Sequence, residues 1–160
     1  MDGRQRFDWV PFMQEMLAPA PYTPLPEFGP PRLTPLRKPI AQSTIGLISM
    51  AGVQRANEPL LGETNDLSYR LLDRDTPFSE LTIAHQTPVR VWAEQDLNVV
   101  YPRDRLVELE AAGTIGRFAQ TSVSLVGSIT RYGDLLEQTV PRIYDELAKQ
   151  NVDFALLVPI

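Results

Sequence analysis

Eight prolines fall within the 21 residues from Pro19 to Pro39, and they constrain the chain more than any other feature. Proline has no amide donor and a fixed φ, so neither a helix nor a sheet ladder runs through such a stretch, and extended or polyproline backbone is left. Ahead of it, Phe7, Val10, Met13 or Gln14 and Leu17 stand near helical spacing, with Pro11 limiting the first turn. The reading is therefore an N-terminal part, residues 1–42, made of a short docking helix and a proline-rich arm. A single α/β domain over residues 43–160 follows it. At 160 residues and 18.0 kDa, with 43% apolar residues, the chain has material for one core.

Within 43–160 the apolar pattern alternates between strand and helix. Ser43 to Gly52 is an apolar run closed by small residues, the signature of a buried parallel strand entering a turn. Residues 54–79 read as a polar excursion rich in turn formers, with Leu67 to Leu72 as a short edge strand. Leu81-Thr82-Ile83-Ala84-His85 alternates as a second strand. Pro102 then opens, and Gly113 closes, a helix with Leu106 and Leu109 on its inward stripe. Thr121 to Gly127 is a strand. Leu136, Val140, Ile143 and Leu147 mark an amphipathic helix that Pro141 kinks or divides, and Val152 to Pro159 is a last buried strand. Strands alternating with helices give βαβ units and a three-layer sandwich around a mainly parallel sheet, with the strands near 45, 121 and 153 paired in parallel.

The charge balance excludes several functions. With 15 basic against 20 acidic residues, a net charge of −5 and no basic cluster longer than Arg37-Lys38, the surface does not fit a phosphate backbone, and no nucleic-acid partner is expected. No apolar run reaches the roughly 18 to 20 residues that span a bilayer, and the first residues lead into no apolar core of a signal segment, so a cytoplasmic protein without a membrane partner is expected. There is no cysteine and one histidine, His85. Disulfides, cysteine-ligated metals and a thiol nucleophile within these residues are excluded, and no metal site is expected.

His85, at the carboxyl end of its strand, has the pKa range of a general acid for a departing amine, or it is a structural histidine bonded to a neighbouring loop. Ser49 and Gly52 flank a small-residue turn that offers a backbone nest for an anion; a lone glycine turn lacks the several glycines of a dinucleotide fingerprint, so no NAD or FAD is expected. Arg105 offers a bidentate fork for a carboxylate, whereas Asp104 beside it matches a helix dipole. Asn98 is either a substrate contact or a turn former, and Trp9 and Trp92 serve packing or an interface.

Four stretches carry a resemblance. They are Pro35-Leu36-Arg37-Lys38-Pro39 leading to Ser49-Met50-Ala51-Gly52-Val53; Asp66-Leu67-Ser68-Tyr69-Arg70; the block from Ile83 through His85 to Asn98-Val99-Val100-Tyr101-Pro102-Arg103-Asp104-Arg105-Leu106; and Val152 to Ile160. The third is the most specific, because secondary-structure propensity does not produce its order of residue types. Together they resemble the selenoprotein B family of the glycine, sarcosine, betaine and D-proline reductases, from about residue 35 to Ile160. In that family the last of these strands leads into a cysteine or selenocysteine that attacks the substrate carbon and displaces an amine. The resemblance therefore implies a selenol- or thiol-dependent subunit that reductively cleaves the C–N (or related C–X) bond of a small amino-acid-like substrate. It implies His85 as catalytic, and Ser49, Gly52, Asn98 and Arg105 as substrate-binding. It also implies a selenocysteine or cysteine encoded after Ile160 or carried by a partner chain, a thioredoxin-like electron donor, and a partner subunit or homo-oligomer. The alternative is a non-catalytic scaffold or binding subunit of a hetero-oligomer, which the missing nucleophile favours.

Overall fold

The computed structural model describes residues 29–30 and 33–160. The helix expected over 7–18, Trp9 and most of the proline-rich arm lie outside the described residues. Pro35–Ile160 forms one compact unit.

Seven strands and four helices follow one another in that unit. They are β1 (Thr44–Ser49), β2 (Val53–Arg55), β3 (Arg70–Asp73), β4 (Leu81–Ile83), α1 (Arg90–Ala93), α2 (Arg103–Ala111), β5 (Arg117–Phe118), β6 (Thr121–Ser124), α3 (Tyr132–Asp134), α4 (Val140–Lys149) and β7 (Phe154–Val158). The fold is α/β with a mainly parallel sheet. β1 lies at its centre and pairs in parallel with β5, β6 and β7, while β3 closes one side by antiparallel pairing with β6. β5 and β6 run along the same edge of β1, with the register advancing by two residues between Ile45↔Phe118 and Ile48↔Val123. Ala119 and Gln120 absorb that bulge, and the Gln120 side chain turns outward to Asp73 and Asp75.

Each face of the sheet has its own core. On one side Ile45, Leu47, Leu72 and Phe118 meet Val100, Tyr101, Leu106 and Ile115; on the other Val123, Leu125 and Ile143 pack with Ile48, Leu135 and Leu147. Alternation along β1 sends Ile45 and Leu47 to the first core and Ile48 to the second, which is how one strand serves three layers. Gly116 is fixed by the approach of the chain to β1: a Cβ there would stand 2.6 Å from the Gln42 carbonyl carbon.

Several expectations need correction. β4 does not join the main sheet but forms a two-stranded antiparallel ribbon with β2, a strand hidden in the polar excursion because it is only three residues long. Leu109 is exposed. The inward row of α2 is Arg103, Leu106, Val107 and Glu110, since the Arg103 guanidinium stacks 3.9 Å over the Phe78 ring and donates to the Thr76 carbonyl. Leu136 and Val140 are also exposed. A π-helical segment, Leu135–Thr139, joins α3 to α4 upstream of Pro141, and its extra residue per turn rotates the inward row to Leu135, Thr139, Ile143 and Leu147. Trp92 is exposed and packs into neither core. Finally, β7 is not buried: it is an edge strand whose Leu156 and Leu157 are exposed, because β1 is its only neighbour among the described residues.

Candidate functional site

The chain runs from β1 to β5 and β6 on one side, then crosses to β7 on the other side of β1. Where consecutive crossovers go to opposite sides, the carboxyl ends of the two adjoining strands leave a crevice, the usual ligand position in open α/β sheets. Here that position lies at the ends of β1 and β7, and four loops meet there.

The turn after β1 is the hub. The Met50 amide donates to Val158 O at 3.0 Å and the Gly52 amide to Leu125 O at 2.9 Å, so the turn is clamped to the ends of both β7 and β6. The loop after β4 joins it, with Ala84 N donating to Gly52 O at 2.9 Å and His85 N to Ala51 O at 3.1 Å. Gly52 has φ of +63°, and a Cβ there would meet Val126 Cγ2 at 3.0 Å and Ala84 Cβ at 3.2 Å. Glycine is thus required for both conformation and space. Gly127 lies under the same junction: a Cβ would stand 3.3 Å from Met50 O and 3.4 Å from Ile160 O.

Ser49, Gly52 and His85 are therefore linked at one place by backbone bonds. Ser49 is fully buried, and its hydroxyl donates to Val100 O at 2.8 Å and accepts from Ala51 N at 3.3 Å. The amides of Met50, Ala51 and Gly52 are all committed to these internal acceptors, so the turn presents no spare donor for an anion. What Gly52 allows is close packing of the turn against Val126 and the loop of His85. His85 is half-buried, and its Nδ1 is out of solvent without a hydrogen-bond partner. Burial lowers its pKa from the ordinary histidine value, so at neutral pH the imidazole is uncharged.

Asn98 and Arg105 serve another place. The Asn98 amide N–H and Nδ2 both donate to Asp96 Oδ1, at 3.0 and 2.9 Å, and Asn98 Oδ1 accepts from Asp104 N at 3.1 Å. Asn98 thus ties the turn Leu97–Val99 to the start of α2, and these bonds hold the Asp96 carboxyl below its usual range. This corner borders a hollow of about 400 Å³ that Phe78, Ile83, Arg90 and Asp104 also line. Arg105 is exposed and pairs with Glu108 at 2.9 Å on its own helix. No bond joins Asn98 or Arg105 to His85; the link to Ser49 runs only through the Val100 carbonyl.

Two residues outside the expected set shape the crevice. Asn65, left-handed at φ 54°, accepts at Oδ1 from Thr130 N at 2.8 Å and Arg131 N at 3.0 Å, and its own amide donates to Ser128 O at 2.8 Å. It pins the excursion to the loop after β6. Asn65 stood among the turn formers of the sequence, but nothing local shows that its partners lie 65 residues away. The second is Ser124, opposite Ser49 in the β1–β6 register, with a buried hydroxyl that has no partner. Among the described residues no group of three His, Asp or Glu side chains converges as a metal site would require, and no helix is long and apolar enough to cross a membrane.

The chain is similar to D-proline reductase subunit gamma of Acetoanaerobium sticklandii, with 26% identity over 133 residues, 83% of this chain and 55% of that protein. It therefore spans about half the length of the curated relative it matches. No family model matches the chain, and no solved structure matches it significantly.

Proposed function

We propose that this chain is a reductase subunit whose crevice at the carboxyl ends of β1 and β7 receives a thiol or selenol and a small amino-acid-like substrate. The observation that carries the reading is the bonding of the His85 loop to the Ala51-Gly52 turn at the switch point, with its imidazole held neutral by burial. Similarity to a D-proline reductase subunit supports the same reading. These 160 residues contain no cysteine, so the nucleophile is encoded after Ile160 or carried by a partner chain.

The proton inventory fits a neutral histidine. His85 takes the proton of the thiol or selenol, and the resulting anion attacks the substrate carbon. The C–N bond breaks, the nitrogen leaves with the bonding pair, and His85 returns the proton to it. A dithiol donor, thioredoxin-like in the cell, then supplies two electrons and two protons; the carbon–sulfur or carbon–selenium bond is cleaved, the nucleophile is restored and the donor becomes a disulfide. Gly52 permits the close approach of the His85 loop to the turn, since a Cβ there would meet Ala84 Cβ and the His85 amide.

The test uses the protein purified from its own host with whatever chains accompany it. Intact mass with selenium detection is measured first, and then consumption of D-proline, glycine, sarcosine and betaine with dithiothreitol as donor. One of these substrates is expected to be consumed, and His85→Asn is expected to lower kcat about 100-fold or more with KM changed little. A thiol- or selenol-bearing assembly that consumes none of them overturns the reading. The scaffold alternative is favoured by one observation, the apolar side chains exposed on β7, and predicts an assembly whose activity is indifferent to His85.

A further inference from the structure

Strand β7 has the sequence Phe-Ala-Leu-Leu-Val, apolar at every position. That is the composition of a parallel strand covered on both faces and paired on both edges. Among the described residues it is neither: β1 is its single partner, and Leu156 and Leu157, which alternation sends to opposite faces, are 40% and 59% exposed. The inner edge is defined by the bond of Met50 N to Val158 O and by the pairing of Ser49 with Val158. With Val158 O turned to β1, the register directs the backbone groups of Phe154, Leu156 and Val158 inward, and the amides of Ala155 and Leu157 point outward. No lysine, arginine or proline interrupts the strand, so it lacks the devices that blunt a free edge.

The helical layer shows the same imbalance. On α4, Arg142 and Glu146 lie beside Tyr69, on the flank next to β3. The other flank, bearing Leu136, Val140 and Tyr144, all exposed, therefore looks toward β7. Edge and helix flank give the side of the sheet away from β3 an exposed apolar border.

We infer that this border is an internal seam of the working reductase, and that its occupant is a parallel β-strand, with its adjoining helix, from the polypeptide segment that carries the thiol or selenol. The inference rests on the reductase reading. A parallel strand is argued by the topology: β6, β1 and β7 stand in the order second, first, third of a doubly wound sheet, and the next strand of such a sheet lies outside the third. A strand placed there ends beside β7, and its following loop faces the crevice of His85. The relative supplies the material, since the match leaves about half of that subunit uncovered.

The test places the photocrosslinker p-benzoylphenylalanine at position 157 of the chain expressed in its own host, in the full assembly. Expected is a cross-link to a segment that contains cysteine or selenocysteine and aligns with the uncovered part of D-proline reductase subunit gamma, together with slow hydrogen exchange at the Ala155 and Leu157 amides. A cross-link to position 157 of a second copy, to residues 1–34, or to a thiol-free polypeptide overturns the inference. So does fast exchange with no cross-link. Substrate consumption by the same assembly keeps the two readings apart: activity with a cross-link elsewhere removes the seam and leaves the reductase, whereas the expected cross-link with no activity removes the reductase.

Discussion

His85 shows how one side chain couples the site to stability. Its folded pKa is lowered by burial, so the folded protein binds the proton less readily than the unfolded chain. The contribution of neutral His85 is fully present above the unfolded value near 6.5 and is lost as pH falls from there toward the lower folded value. Urea midpoints measured from pH 7.5 to 5 are expected to fall on the acid side, and His85→Asn should flatten that fall. Gly116 offers a purely steric case. Its absent Cβ lies 2.6 Å from the Gln42 carbonyl carbon, and backbone on both sides cannot give way as a flexible side chain would. Gly116→Ala is expected to cost about 1–3 kcal/mol in chemical denaturation. Asn65 is the polar counterpart: Asn65→Ala hands the exposed amides of Thr130 and Arg131 to water, with an expected cost of about 1 kcal/mol and faster hydrogen exchange at both.

At the scale of elements, charged groups set where the pieces sit. Arg74 in the turn after β3 donates to Glu110 of α2 at 2.6 Å and to Phe118 O at 3.0 Å, while Glu110 accepts from Phe118 N at 3.2 Å. Three elements are joined by two side chains. The Arg74 hydrogen bond lowers the Glu110 pKa, so this contribution is present above the unfolded value near 4.5 and disappears as pH drops through the lower folded one. Glu110→Gln is expected to cost about 1 kcal/mol at pH 7 and much less at pH 3, as read from denaturation midpoints. The π segment Leu135–Thr139 acts through geometry instead. It moves the inward row of the helical stretch by one residue, buries Thr139 with its hydroxyl on Leu67 O at 2.8 Å, and leaves Leu136 and Val140 outside.

For the whole molecule, the open border along β7 separates stability from assembly. Leu157 is exposed in the unit Pro35–Ile160, so Leu157→Lys should change its stability by no more than about 0.5 kcal/mol. In the assembly the same charge meets a strand partner, and loss of the associated segment in size-exclusion chromatography is expected. The two measurements together distinguish an interface residue from a core residue.

Much was determined by the sequence alone. Pro102 and Gly113 bracket α2 because proline tolerates a first turn and glycine the left-handed close; the strands near 45, 121 and 153 pair in parallel because their apolar runs have helices between them. The turn from Ser49 to Gly52 after β1 was legible as an apolar run closed by small residues, whereas its bonds to the His85 loop depend on the pairing of β2 with β4. The tertiary structure decided what local pattern cannot carry. Exposure of β7 depends on which strand lies beside it, the inward face of the 132–149 stretch on one extra residue in a turn, and the separation of Asn98 and Arg105 from His85 on a ribbon that β4 forms with β2. Each is a matter of neighbours distant in sequence, and hydrophobic periodicity reports only that a face will be covered, because burial is non-directional and does not name the partner.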